Sequence, residues 1–98
     1  MDLTQLRDDI HNIDNQLIEL LAKRNQLVIK VGKIKMLGSM PVLNNQVFEE
    51  KMKNLEKLGK GQGLSAKFIR RMWRTIYHTS IKTQENLVKM HLKNNKDK

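Results

Sequence analysis

The feature that most constrains this chain is its first third, Leu3 to about Leu37. Leu6, Ile10, Ile13, Leu17, Leu20, Leu27, Val31 and Ile34 recur at steps of three and four, with one step of seven. That spacing predicts one unbroken amphipathic helix with a buried stripe. The long step from Leu20 to Leu27 should hold another apolar residue, and Arg24 stands there instead. A cation in an apolar seam is costly unless something pairs with it. The helix would span roughly 50 Å, whereas a compact domain of this size has a radius of gyration of about 13 Å. The rest of the chain cannot cover such a stripe. A second copy can, so a homodimer is expected, with two-fold symmetry as the simplest form.

The 98 residues suffice for one modest domain, and 39% apolar residues with a single Pro suit an all-α fold. The chain lacks Cys, which excludes disulfides and thiolate metal sites and fits a reducing compartment such as the cytoplasm. The N-terminus lacks a basic region followed by an apolar run, so no signal peptide is expected. No apolar run is long enough to span a membrane. The formal net charge of +9 favours an anionic partner.

Asp2 is the expected N-cap of the first helix and Gly38 its C-terminal stop; Gly32 inside it implies a close backbone approach. Met40-Pro41-Val42 reads as a connector. Asn44 or Asn45 opens a second helix that runs to about Leu58 or Gly59, with Phe48, Met52, Leu55 and Leu58 on its apolar side. Lys60 to Gly63 reads as a loop. Ser65 caps a third helix whose stripe holds Phe68, Ile69, Met72, Trp73 and Ile76, passes through Ser80 and Gln84 to Leu87, and frays near Leu92. Residues 1–92 form one helical domain in this reading, and 93–98 a disordered basic tail.

Function is carried by polar residues set in apolar stripes. Arg24 and Lys35 lie eleven residues apart, three helical turns, so they bracket Val28 and Val31 on one face at about 16 Å. That gap suits a small dianion better than a nucleic-acid backbone. Ser80 and Gln84 are four residues apart and face the same way. A buried Gln needs partners for both its carbonyl and its amide. Together these residues describe a polar pocket inside a helical bundle. Arg7 lies about 25 Å along the first helix from Arg24, within reach of the pocket only from a partner chain. His11, His78 and His91 have no partners at metal-ligand spacing, and neither a nucleophile triad nor a phosphate loop is present, so no metal or cofactor is expected.

The run from Leu6-Arg7-Asp8-Asp9-Ile10 through Ile13-Asp14, Leu17 to Arg24, Val31 to Lys35 and Pro41-Val42 resembles the all-helical (type II) chorismate mutases. Gly63-Leu64, Ile76, Ser80 and Gln84 extend the resemblance over about residues 3–90. It implies three helices per chain interlocked in an intertwined homodimer with two equivalent sites. It also implies a cofactor-free rearrangement of chorismate to prephenate. Arg24 and the Arg7 contributed by the other chain would clamp the two carboxylates. Lys35 and Gln84 would donate toward the ether oxygen, Ser80 would assist a carboxylate, and Val31 and Ile81 would wall the pocket. The family usually has an acid and then an Arg-Glu pair where Asn44, Val47 and Phe48 stand here, and that Glu binds the ring hydroxyl. These departures imply weakened mutase activity, a shifted substrate or lost activity.

Two other functions compete. One is an isochorismate pyruvate-lyase on the same scaffold, for which losing that Glu matters less. The other is a catalytically silent basic helical dimer, which the charge and the Lys-rich C-terminus favour.

Overall fold

The computed structural model describes residues 2–42 and 45–96. It contains α1 (Leu3–Leu37), α2 (Asn45–Gly61) and α3 (Ala66–Lys96), with no strand among the described residues. The all-α class and the three-helix order are as the stripes predict.

Local chemistry explains most of the helix ends. The Asp2 carboxylate accepts from the Thr4 amide at 3.2 Å and caps α1. The Ser65 hydroxyl accepts from the Phe68 amide at 3.1 Å and caps α3. At the end of α2, Leu64 N donates to Gly59 O at 2.9 Å and Gly63 N to Lys60 O at 3.1 Å. Gly63 has φ 81°, so this is a Schellman turn with glycine in the left-handed position.

Three expectations about helix ends need correction. First, α1 ends in the same type of turn, with Met40 N donating to Lys35 O at 2.7 Å and Ser39 N to Met36 O at 3.2 Å. The left-handed residue is Ser39 at φ 53°, not Gly38 at φ −89°. The helix runs through Leu37, which puts Ser39 rather than Gly38 at the reversing position. Second, Gly59 does not stop α2, which continues to Gly61. A Cβ at Gly59 would stand 2.5 Å from Ile69 Cγ1, so the missing side chain permits the close approach of α2 and α3. Third, α3 continues to Lys96, past the expected fraying point at Leu92 and into the predicted tail. Residues 93–96 contain no Gly or Pro to break the ladder, and lysines suit a helix C-terminus. The start of α2 at Asn45 agrees with the expected opening at Asn44 or Asn45; Asn44 itself lies outside the described residues, as do Asp97 and Lys98.

Both α1 and α2 pack on α3. Ile69 and Met52 are the buried apolar residues, and Arg70 Nε pairs with Glu56 Oε1 at 2.7 Å across the α2–α3 seam. Trp73, expected as a core anchor, is half-buried. The molecule measures 64 × 28 × 16 Å with a radius of gyration of 17.7 Å, far from a compact sphere of its length. Every described residue from Asp2 to Lys23 is exposed. The stripe Leu6, Ile10, Ile13, Leu17 and Leu20 therefore lies open, with Ile10 and Leu20 each 59% exposed. Among the described residues no helix is long and apolar enough to cross a membrane.

Candidate active site

The C-terminal half of α1 is where the chain covers itself. Gly32 is buried, and a Cβ there would stand 3.0 Å from both Gln84 Cγ and Leu87 Cδ1. The expected close approach is thus a contact with α3. It brings the polar residues of the two stripes together, and α2 closes the third side. The result is a cleft of about 420 Å³.

Seven residues singled out in the sequence line this cleft: Arg24, Val31 and Lys35 from α1, Phe48 from α2, and Ser80, Ile81 and Gln84 from α3. Arg24 Nη1 donates to Ser80 Oγ at 2.7 Å, and Ser80 Oγ donates to Ile76 O at 2.9 Å. The seam cation is therefore paired with a hydroxyl rather than a carboxylate and keeps its charge unneutralised. Its guanidinium carbon also lies 5.6 Å from the centroid of the Tyr77 ring, within cation–π range. Lys35 Nζ donates to Val42 O at 3.0 Å, which ties the end of α1 to the connector. Gln84 is 7% exposed, and its Nε2 donates to Val28 O at 3.3 Å. Because a carbonyl takes that bond, the group facing Val28 must be the amide nitrogen. One of its two N–H bonds is thereby engaged and the other remains.

Arg7 is the one predicted site residue absent from the cleft. It lies on the exposed N-terminal stretch of α1. The remaining lining residues were not predicted as site residues. Leu27, Val28, Val42 and Val47 are apolar, and Lys51 and Tyr77 are not. Tyr77 shares a helical face with Ser80, Ile81 and Gln84, at offsets of three, four and seven, so the 3.6-residue period was a usable signal for it. Lys51 follows Val47 by one turn of α2 and faces the same way.

Tyr77 is the sharpest anomaly in the site. Phe48 packs edge-on against it, with ring centroids 4.7 Å apart and planes at 73°. Its hydroxyl is buried with no hydrogen-bond partner. Burial pushes its pKa above the usual tyrosine value, while the Arg24 charge pulls the other way. Such an orphaned group costs stability wherever it occurs and is unusual outside functional sites.

Among the described residues no acid lines the cleft, and no cluster of His, Cys, Asp and Glu is placed to hold a metal. The site presents three cations, two anchored hydrogen-bonding side chains and an apolar floor. That combination is chemically suited to a small anion with apolar parts. It contains no acid/base pair for proton transfer.

A family model described as chorismate mutase type II matches residues 6–85. Among curated proteins, the bifunctional chorismate mutase/prephenate dehydratase of Escherichia coli (strain K12) is 37% identical over 90 residues, covering 92% of this chain and 23% of the relative. The protein of the same name from Buchnera aphidicola subsp. Schizaphis graminum is 32% identical over 87 residues, covering 89% of this chain and 23% of its own length. The T-protein of Enterobacter agglomerans is 35% identical over 80 residues, covering 78% of this chain and 21% of the relative. The chain thus spans less than a quarter of the length of these relatives.

Proposed function

This chain belongs to the chorismate mutase type II family, and from that premise we propose that its cleft converts chorismate to prephenate. The observation that carries the reading is Arg24. It is a cation in an apolar seam, fixed by Ser80 on one side and left without a carboxylate of its own.

The rearrangement is pericyclic. The ether C–O bond breaks as a C–C bond forms, and electrons move round one ring without proton transfer. What a protein can add is confinement of the reactive conformer and stabilisation of negative charge on the departing oxygen. Arg24 gives Ser80 one of its five N–H bonds, and the others form a planar fork matched to a substrate carboxylate. Lys35 keeps one N–H on Val42 O and has two more to offer. Gln84, held by Val28, presents its second amide N–H. Lys35 and Gln84 are the donors for the ether oxygen. Val31, Phe48 and Ile81 line the apolar wall against which the substrate folds.

The open stripe of α1 supports a homodimer. Leu6 to Leu20 offers an apolar seam left exposed by the described residues of its own chain, and a second copy of α1 fits it by symmetry. In that arrangement Arg7 reaches the partner's cleft and supplies the second carboxylate clamp. The lack of Cys suits work in the cytoplasm.

Product identification tests the reading. Purified protein is mixed with chorismate and, separately, with isochorismate. Prephenate from chorismate is the expected result. Salicylate and pyruvate from isochorismate would replace the mutase by the lyase, and turnover of neither would leave a silent dimer.

A further inference from the structure

The cleft contains one more charge than the two recognised in the stripes of α1. Arg24 and Lys35 reach it from α1, and Lys51 reaches it from α2. None of these three cations has an acid facing it across the cleft among the described residues. Glu50, the sequence neighbour of Lys51, does not line the cleft; it lines an adjoining shallow groove that shares Val47 and Lys51 with it. Like charges that converge without a counterion repel, and the repulsion is relieved when an anion enters.

The three are not equivalent. Arg24 is braced by Ser80 and Lys35 by Val42, so both are positioned before a ligand arrives. Lys51 is exposed at the rim, one helical turn beyond Val47, with a flexible stem. It faces the two α1 cations from the opposite wall. A dianion whose first carboxylate is taken by Arg24, with its ether oxygen at Lys35, has a second carboxylate that Lys51 can pair with from that wall, alongside the partner's Arg7.

We infer that Lys51 is a substrate-binding residue, pairing from α2 with one of the two carboxylates of the bound dianion. This rests on the chorismate reading for the identity of the dianion, and on the cleft alone for the role of the lysine. Lys51 adds ground-state attraction rather than stabilising the breaking bond, so its removal should act on KM. Because the side chain is exposed, the effect must fade as salt screens it.

The test compares the parent protein, Lys51→Ala and Lys51→Arg with chorismate and with each of its two monomethyl esters, at low and high salt. Lys51→Ala should raise KM about fivefold at low salt with kcat nearly unchanged, in the range of exposed charge pairs. Lys51→Arg should stay near the parent. One of the two monoesters should lose its dependence on Lys51, because its pairing carboxylate is gone. An unchanged KM in Lys51→Ala, or equal sensitivity with both esters, overturns the inference while leaving the reaction intact. If chorismate binds without turnover, and Lys51→Ala weakens that binding, the reaction fails and the inference stands. Absence of both binding and turnover overturns the two together.

Discussion

Arg24 Nη1 donates to Ser80 Oγ at 2.7 Å, across 56 positions of sequence. This bond joins the misfit of the α1 stripe to the misfit of the α3 stripe and fixes the direction of the guanidinium. Removing the hydroxyl in Ser80→Ala should leave Arg24 charged but loosely aimed. A loss of about tenfold in kcat/KM with little change in Tm is expected, consistent with one positioning hydrogen bond. Steady-state kinetics with parallel calorimetry checks it; a large fall in Tm would assign the bond to folding instead.

Gly32 sets the spacing of α1 and α3 at the level of Gln84. A methyl group there meets Gln84 Cγ and Leu87 Cδ1 at 3.0 Å, and both side chains must give way. Gly32→Ala gains helix propensity of about 1 kcal/mol, so stability should change little while Gln84 is displaced from Val28. Activity should therefore fall more than tenfold at nearly constant Tm, in line with misplacement of a positioned donor. Unaltered kinetics would mean that Gln84 need not sit where this contact puts it.

Gly59 offers the opposite case. A Cβ there would come within 2.5 Å of Ile69 Cγ1 and 2.8 Å of Cδ1, where Ile69 is buried in the α2–α3 seam. Gly59→Ala should destabilise by about 1–3 kcal/mol, the usual cost of overpacking. Chemical denaturation at matched protein concentration reads this. At the α1 turn the sign reverses. Ser39 holds φ 53°, and Ser39→Gly should stabilise by roughly 0.5–1 kcal/mol in the same assay.

Tyr77 is the sole tyrosine of the chain, so its ionisation can be followed by absorbance without interference. Burial raises its pKa above the usual 10.0, with Arg24 opposing. The native protein should keep the phenol protonated to higher pH than the unfolded chain. In the window between those two pKa values the folded state binds more protons, so stability should fall as pH rises through it. Below the unfolded pKa, Tyr77 should contribute no pH dependence. Titration at or below the value for free tyrosine would contradict the buried placement of the hydroxyl.

The dimer is tested by complementation. Arg7→Ala and Arg24→Ala chains should each be nearly inactive alone. Mixed under conditions of subunit exchange, they should regain activity, because one of the two sites then has Arg24 from one chain and Arg7 from the other. Failure to regain it, with exchange demonstrated, would remove Arg7 from the partner's site.

Much of this was legible because apolar periodicity is a strong signal and violations of it are conspicuous. Arg24, Ser80 and Gln84 interrupt stripes, and Lys35 follows Arg24 by three turns; all four line the same cleft. Tyr77 breaks no pattern, since an amphipathic aromatic suits a half-buried helix face, and its missing partner is visible only in three dimensions. Lys51 on a short charged helix reads as solvated until α2 is placed on α3, across the cleft from α1. The α1 terminus misled because Gly38 and Ser39 compete for the left-handed position, and one residue of extra helix decides between them. Arg7 stays on an exposed stretch, because what it would serve belongs to a second chain.

Conversion of chorismate to prephenate in this cleft depends above all on Arg24. This is tested most directly by kcat/KM for chorismate in the parent protein and in Arg24→Ala. Prephenate formation by the parent and a loss of at least about 100-fold in the variant are expected, as for removal of a positioned charge. Prephenate formation at the parent rate by Arg24→Ala, or none by the parent, would contradict it.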